Sequence, residues 1–394
     1  MSTEASPGAI LLERLLDALE PELAPAAVLR ERLHARPELA HAEHRTAAAV
    51  LDALDAPAAR AVAGTGILAR LGPGGGGAVA VRAELDAVPV HEQTDAPFAA
   101  TGPAMHACGH DVHMAALVAF YRAARKIERD LPAPLVALFQ PSEEAYPSGA
   151  VELIRAGALE EVDTVAAVHV HPDVAWGEVG VDEGPVNASC DNFTVVVEGR
   201  SGHAAYPHRT RDPVVALAAI VVSLQTLVSR RVDPLRSAVV TVGTLEAGSA
   251  ENVIPEQARA GGTLRALHPD DRALLREELR TVAEHVALAH GCMARVELTE
   301  GEPAIVNDAS LVARVRPLLA AAGAASAPAL RSCGADDFGF FGDRARLLLL
   351  FVGLRGAPGT PHVPLHHAEF LPPPEAVASV ARAQAAAYVA AAAA

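Results

Sequence analysis

Residues 105–144 read M-H-A-C-G-H-D-V-H-M-A-A-L-V-A-F-Y-R-A-A-R-K-I-E-R-D-L-P-A-P-L-V-A-L-F-Q-P-S-E-E, and the order of patterns within them decides the fold class. A dense polar cluster comes first: His106, Cys108, His110, Asp111 and His113. A helical stretch follows from His113 to Lys126, then an apolar strand from Leu135 to Phe139 that runs into the carboxylate pair Glu143-Glu144. The next strand, Thr164 to Val170, ends in His169-Val170-His171. Strands alternating with helices, with polar clusters at the strand ends, predict an α/β sheet whose site lies at its carboxyl edge.

On the N-terminal side, apolar residues at helical spacing run through Ile10 to Leu19 and again through Ala26 to Leu33, leading into L-H-A-R-P-E-L around His34 and Pro37. Strands are expected at Ile67 to Leu71 and Ala78 to Val81, on either side of Gly72-Pro73-Gly74-Gly75-Gly76-Gly77, which reads as a hairpin turn. A phosphate loop would need a Lys-Ser/Thr pair and a helix after the glycines, and neither follows.

On the C-terminal side the pattern changes at about Cys190. Strand (Phe193 to Glu198), helix (Asp212 to Val228), strand (Ala238 to Leu245), strand (Gln257 to Arg265), helix (Asp270 to His290) and strand (Ala294 to Thr299) follow in turn. This β-α-β-β-α-β order is the split unit of ferredoxin-like domains. It predicts an inserted α+β domain over 189–301, interrupting an α/β domain built from 1–188 and 302–394. The alanine-rich end reads as a good helix former and nothing more.

A chain of 394 residues suits two moderate domains, and 51% apolar with 20% charged residues describes a folded protein. The net charge of −16 argues against nucleic acid or an anionic membrane as partner. Glu4, Glu13, Asp17, Glu20 and Glu22 make the start acidic, unlike a signal peptide, and no run is expected to reach membrane-spanning length; the cytoplasm is the expected compartment. Cys108, Cys190, Cys292 and Cys333 are widely spaced and form no CxxC pair, so neither a disulfide scaffold nor a zinc finger is expected.

Four clusters carry the chemistry. Thiolate and imidazole in Cys108-x-His110 can turn toward one divalent metal; the bland alternative is a helix start with Asp111 near the N-terminus and solvated histidines. Of Glu143 and Glu144, one can bind metal while the other takes a proton from water, the alternative being a surface loop of like charges. His169 and His171 share one face of a strand. An H-x-H also marks TIM-barrel metal hydrolases, but this one lies at mid-chain and the inserted unit breaks any eightfold repeat. Leu365-His366-His367 follows the apolar strand Leu347 to Val352. Together these offer enough N, O and S ligands for two ions.

With these segments in order, the chain resembles the metal-dependent aminoacylase and carboxypeptidase family, in the branch with hippurate hydrolases, indole-acetyl amino acid hydrolases and N-acetyl-diaminopimelate deacetylases. The resemblance covers nearly the whole chain: L-H-A-R-P-E-L, R-A-E-L-D-A-V-P (Arg82 to Pro89), M-H-A-C-G-H-D, F-Q-P-S-E-E, H-V-H-P, S-G-H-A-A-Y-P-H, D-P-V-V-A, N-V-I-P, G-G-T-L-R, D-D-F and P-L-H-H. It implies a catalytic domain with a central sheet flanked by helices, holding two divalent ions (zinc, manganese, nickel or cobalt), and an inserted lid or dimerisation domain. By the same resemblance Cys108 bridges the metals, with Glu144 and His366 completing one site and His110 and His169 the other. Glu143 is implied as general base and acid, and Asp86 as the aspartate that orients a ligand. His203 is implied to reach the active site of a partner subunit and polarise the scissile carbonyl, and Asn252 and Arg265 to hold the substrate carboxylate. The implied reaction is hydrolysis of an N-acyl L-amino acid to a carboxylic acid and a free amino acid, by a homodimer or higher homo-oligomer.

Some positions depart from the family pattern: Glu84 stands for an aspartate, Ser142 for an alanine, A-Y-P-S-G for a glycine-rich run and His171 for an aromatic. These bear on the substrate more than on the metal ligands, with His171 either a polar group at the pocket rim or a solvated loop residue. Two rival functions stay open: a dipeptidase or carboxypeptidase using the same water chemistry, and a catalytically silent binder of a small ligand. A nucleotide-binding protein has only the glycine turn in its favour.

Overall fold

The structure, a computed structural model, describes residues 6–72 and 77–392. The chain divides into two compact units: one is built from the chain up to Gly184, Val306–Leu330 and Phe340 onward, the other from Pro185–Ile305 and Arg331–Gly339. Residues 331–339, expected with the first domain, thus group with the second unit.

In the first unit the strands Gly66–Leu71, Leu135–Gln140, Ala78–Glu84, Val162–Ala175 and Arg346–Arg355 lie side by side in that order. The last four are parallel to one another, and Gly66–Leu71 runs antiparallel to Leu135–Gln140. They read as continuous apolar runs because helices cover the sheet. After Ala78–Glu84 the chain goes first to the strand on one side of it and then to the strand on the other. That reversal opens a crevice at the carboxyl ends, where Glu84, Gln140 and His169 lie.

Three expectations are corrected here. Ile67–Leu71 and Ala78–Val81 are not a hairpin, because Leu135–Gln140 pairs with both and lies between them; residues 73–76 of the expected turn lie outside the described residues. The two helical runs at the start are one helix, Pro7–His34, which carries Pro21 and Pro25 within it. The alanine-rich end is core and not a mere tail: Ala376–Ala392 buries Val377, Val380, Tyr388 and Val389. It packs on the helices Pro7–His34 and His110–Lys126, where alanine lets the backbones approach closely. Tyr388 donates to the Ala133 carbonyl at 2.5 Å.

The second unit has the expected β-α-β-β-α-β order: Ser189–Glu198, Pro213–Arg231, Ala238–Ala247, Gln257–Ala266, Pro269–Ala289 and Met293–Thr299. Its antiparallel sheet runs Ala238–Ala247, Gln257–Ala266, Ser189–Glu198, Met293–Thr299, with the first of these strands at an edge. Asp212 caps its first helix by accepting from the Val214 and Val215 amides. That helix, Pro213–Arg231, is long and apolar enough to cross a membrane, contrary to the expectation that no run reaches this length. Its buried residues Ala216, Leu217, Ile220, Leu224 and Leu227 belong to the core between helices and sheet, as in a core helix.

Candidate metal centre

The cluster at the crevice begins at Gly109. This residue is the N-cap of helix His110–Lys126 in the left-handed region (φ 90°), and a Cβ there would stand 2.4 Å from Val170 Cγ2. Only glycine fits both conditions, so the turn that separates Cys108 from His110 is set by backbone sterics. Asp111, in the first helical turn, is not a solvated cap. It is fully buried and accepts from Arg30 Nε (2.9 Å) and His34 Nδ1 (3.0 Å). His106, His110 and His113 are buried as well, which removes the bland reading of this segment.

His110 donates from Nδ1 to the Asp86 main-chain carbonyl at 2.9 Å, leaving Nε2 buried without a hydrogen bond. That nitrogen lies 3.9 Å from both Glu143 Oε2 and Glu144 Oε1. Cys108 Sγ is 3.4 Å from His169 Nε2, while His169 Nδ1 donates to the Val170 carbonyl. His366 Nε2 approaches Glu144 Oε1 to 3.0 Å, and the His366 amide donates to the Ala107 carbonyl, tying the C-terminal segment to the Cys108 turn. Potential ligand atoms of Cys108, His110 and His169 lie within 4.8 Å of one another, as do those of Cys108, Glu144 and His366. Cys108 is common to both sets.

The electrostatics of the cluster suit a cation. Burial pushes the Cys108 thiol well above its usual range, and Glu144, Glu143 and Glu84 push the same way. Burial works to lower His110, but Glu84, Asp86 and Glu144 outweigh it and raise it to about 10. A pocket that forces a proton onto one imidazole and forbids a thiolate is one whose carboxylates lack positive charge. Donors of these types, N, O and S, suit a first-row divalent ion.

Around this cluster stand groups that the sequence named but to which it gave no supporting role. His113 donates from Nδ1 to Glu84 Oε2 at 2.8 Å and accepts the Val170 amide on Nε2 at 3.0 Å, so it secures the strand just after His169. Burial favours a neutral Glu84, but Arg82, His113 and His110 hold it well below the usual carboxylate range. The glutamate that departs from the family pattern is thus ionised and bonded to both Arg82 and His113. Ser142, the other departure, donates to the Ala145 carbonyl at 2.9 Å. His171 packs edge-on to Phe351 at 5.4 Å and accepts the Asp173 amide, so it is partly buried.

His34, in L-H-A-R-P-E-L, faces Asp111 with Nδ1 and Glu92 Oε1 with Nε2 (3.1 Å). Carboxylates only accept, so both ring nitrogens carry hydrogen and the ring is cationic. Burial alone would lower its pKa, but Asp111 and Glu92 raise it from 6.5 to about 9. Its ion pairs therefore stabilise the fold fully below about pH 6.5 and lose effect as pH rises through about 9. The expected result is that metal-free wild type loses stability across that window relative to His34→Gln in denaturant titrations. Parallel pH curves for the two proteins would refute it.

In the second unit, Gly202–His203 pairs with Val253–Ile254, and the Ala204 amide donates to the Asn252 carbonyl at 3.0 Å. His203 and Asn252 are thereby neighbours. His203 Nδ1 accepts the Ala205 amide, and the ring is exposed. Arg265 lies on Gln257–Ala266 and donates to the Cys333 carbonyl at 2.8 Å.

An α/β sheet with a buried thiol, imidazole and carboxylate cluster at its switch point defines a protein with a candidate dinuclear metal centre. The chain belongs to the peptidase family M20/M25/M40, whose family model matches residues 80–389. It is 33% identical to the N-acetylcysteine deacetylase of Bacillus subtilis (strain 168) over 338 residues, 83% of this chain and 88% of that one. It is 32% identical to the N-acetyldiaminopimelate deacetylase of Anoxybacillus flavithermus (strain DSM 21510 / WK1), over 89% of this chain and 93% of that one. Among solved structures, the Bacillus subtilis YXEP protein, described as a dinuclear metal binding peptidase from the M20 family, superposes with a TM-score of 0.83 at 29% identity, covering 94% and 98% of the two chains.

Proposed function

We propose that this protein hydrolyses the amide bond of N-acyl L-amino acids with two divalent ions, which Cys108, His110, His169, Glu144 and His366 would hold. The observation that carries the reading is the membership of Cys108 in both ligand groups. Bound metal supplies Lewis acidity, which lowers the pKa of water and polarises an amide carbonyl. Asp86 orients His110 through its main-chain carbonyl and, with its carboxylate accepting the Glu143 and Glu144 amides, holds their loop. Glu143 takes a proton from the attacking water and returns it to the leaving amine.

His203 is assigned to the carbonyl oxygen of substrate held at a partner subunit's metal site. With Nδ1 accepting from Ala205, the neutral ring carries its hydrogen on Nε2, ready to donate to an oxygen gaining charge. Asn252 and Arg265 are assigned to the substrate carboxylate, for which a guanidinium is geometrically suited. A homodimer or higher homo-oligomer is supported by an uncovered face on the second unit: the edge strand Ala238–Ala247 with Leu245 exposed, beside Val215 and Val222 of the neighbouring helix. The cytoplasm is supported by four free cysteines, which persist in a reducing compartment.

Zinc, manganese, nickel and cobalt all accept this ligand set. The test is amine release from N-acetyl, N-benzoyl and long-chain N-acyl amino acids and from dipeptides, after stripping with chelator and reloading with each metal singly. Metal-restored cleavage of any acyl amino acid is the expected result. Cleavage of dipeptides alone would favour a dipeptidase or carboxypeptidase, and metal uptake with no cleavage would favour a silent binder.

A further inference from the structure

Three consecutive main-chain amides lead into and form the Glu143-Glu144 turn, and each is held by a buried carboxylate. Those of Glu143 and Glu144 bond to Asp86. That of Ser142 donates to Glu43 Oε1 at 2.8 Å. Glu43 is fully buried and stands at the N-cap of helix His44–Leu54, yet its side chain makes no cap bond to that helix. Its carboxylate instead gathers donors from three segments: the His41 amide at 2.9 Å on Oε1, the Thr65 hydroxyl at 2.8 Å on Oε2, and the Ser142 amide.

The grip falls where the backbone most needs it. Ser142 sits in the left-handed region (φ 44°), unfavourable for a residue with a Cβ, immediately before Glu143. The loop closes on itself there: the Gly149 amide donates to the Ser142 carbonyl at 2.9 Å, and a Cβ on Gly149 would stand 1.7 Å from the Pro141 carbonyl oxygen. His41, in the turn that Glu43 organises, reaches the Ser142 hydroxyl with Nε2 at 3.0 Å. A strained residue with such a set of partners has one arrangement, and the direction in which the next residue leaves follows from it.

We infer that Glu43 is a positioning residue for the general base: by holding the Ser142 amide it sets the turn from which Glu143 projects. The inference rests on the hydrolytic role given to Glu143 above. Glu43→Ala leaves the buried Ser142 and Thr65 donors without their acceptor and frees the turn. Glu43→Gln keeps the His41 and Ser142 amides satisfied, because its amide oxygen accepts both, while the bond to Thr65 is reversed, with the NH2 donating to the hydroxyl oxygen.

The experiment measures kcat and KM on the N-acyl amino acid the wild type cleaves fastest, bound metal, and hydrogen–deuterium exchange of the 142–144 amides in the metal-free proteins. The expected result for Glu43→Ala is a kcat lowered by about 10- to 100-fold, as for a misplaced catalytic group, with KM and bound metal near wild type. Faster exchange at 142–144 accompanies it, and Glu43→Gln restores both. Should Glu43→Ala not fold, Glu43→Asp, which keeps the charge but withdraws the acceptor by one methylene, carries the same expectation. Wild-type kcat in the Ala or Asp variant overturns the inference, as does a Gln variant equally impaired. If the wild type cleaves no acyl amino acid, the proposed reaction fails, and exchange at 142–144 still decides whether Glu43 holds the turn.

Discussion

Glu143→Ala is expected to lower turnover of N-acyl amino acids by about 10²- to 10⁴-fold, the range for removing a general acid–base group, while the protein keeps its metal. Glu143 also forms a possible ligand group with His110 and Glu144, so it is the metal content that separates the two effects. Neither ligand group built on Cys108 contains Glu143, whose carboxylate stands 3.9 Å from His110 Nε2 at the edge of the cluster. Its side chain is 12% exposed, enough for water to reach it and little enough for its charge to be felt. Metal analysis beside steady-state kinetics checks the expectation. Turnover equal to wild type would remove Glu143 as the base, and loss of metal together with turnover would make it a ligand instead.

His110→Ala is expected to lose both metal and activity. Its Nε2 is buried without a hydrogen bond and its Nδ1 is committed to the Asp86 carbonyl, so the free nitrogen has a single direction in which to act. Affinity should fall by more than the roughly 10- to 100-fold seen when a ligand merely loses its supporting partner. The metal-free variant should also unfold at lower denaturant than metal-free wild type. In the latter a protonated His110, raised to about 10 against the lowering effect of burial, lies among Glu84, Asp86 and Glu144, and alanine removes that one positive charge from beside them. Full metal content in His110→Ala, measured after chelation and reloading, would contradict the ligand assignment. The pair of variants together distinguishes binding from chemistry, since one is expected to keep metal and the other to lose it.

Much of this arrangement was legible in the chain itself. The β-α-β-β-α-β order of the second unit follows from local period and length alone, and every element of it lies within a few residues of its expected place. The position of Glu143 and Glu144 just beyond a strand was legible for the same reason, whereas the strand carrying His169 runs on past its expected end at Val170 to Ala175. The hairpin expected across the glycines failed because a turn signal reports what adjacent residues can do. The strand inserted between its two arms, Leu135–Gln140, begins about fifty residues after the second arm ends at Glu84. The alanine-rich end failed similarly: composition states that it is helical, and only packing on two other helices makes it core.

What the sequence determined by itself is therefore the kind of chemistry and the elements that carry it: thiol, imidazole and carboxylate at the ends of apolar runs, where side-chain type and period are both local properties. What the residues left open, beyond what the family resemblance implied, is which of these groups meet and what holds them, and that the tertiary structure decided. Cys108 joins two ligand groups because separate strands and a C-terminal loop converge on it. His34, Glu43, Glu84 and His113 become supports only once their partners, 77, 99, 2 and 57 residues away, are brought beside them. Three of those four separations are long, and a buried carboxylate or imidazole looks like any polar residue until the donors and acceptors around it are known.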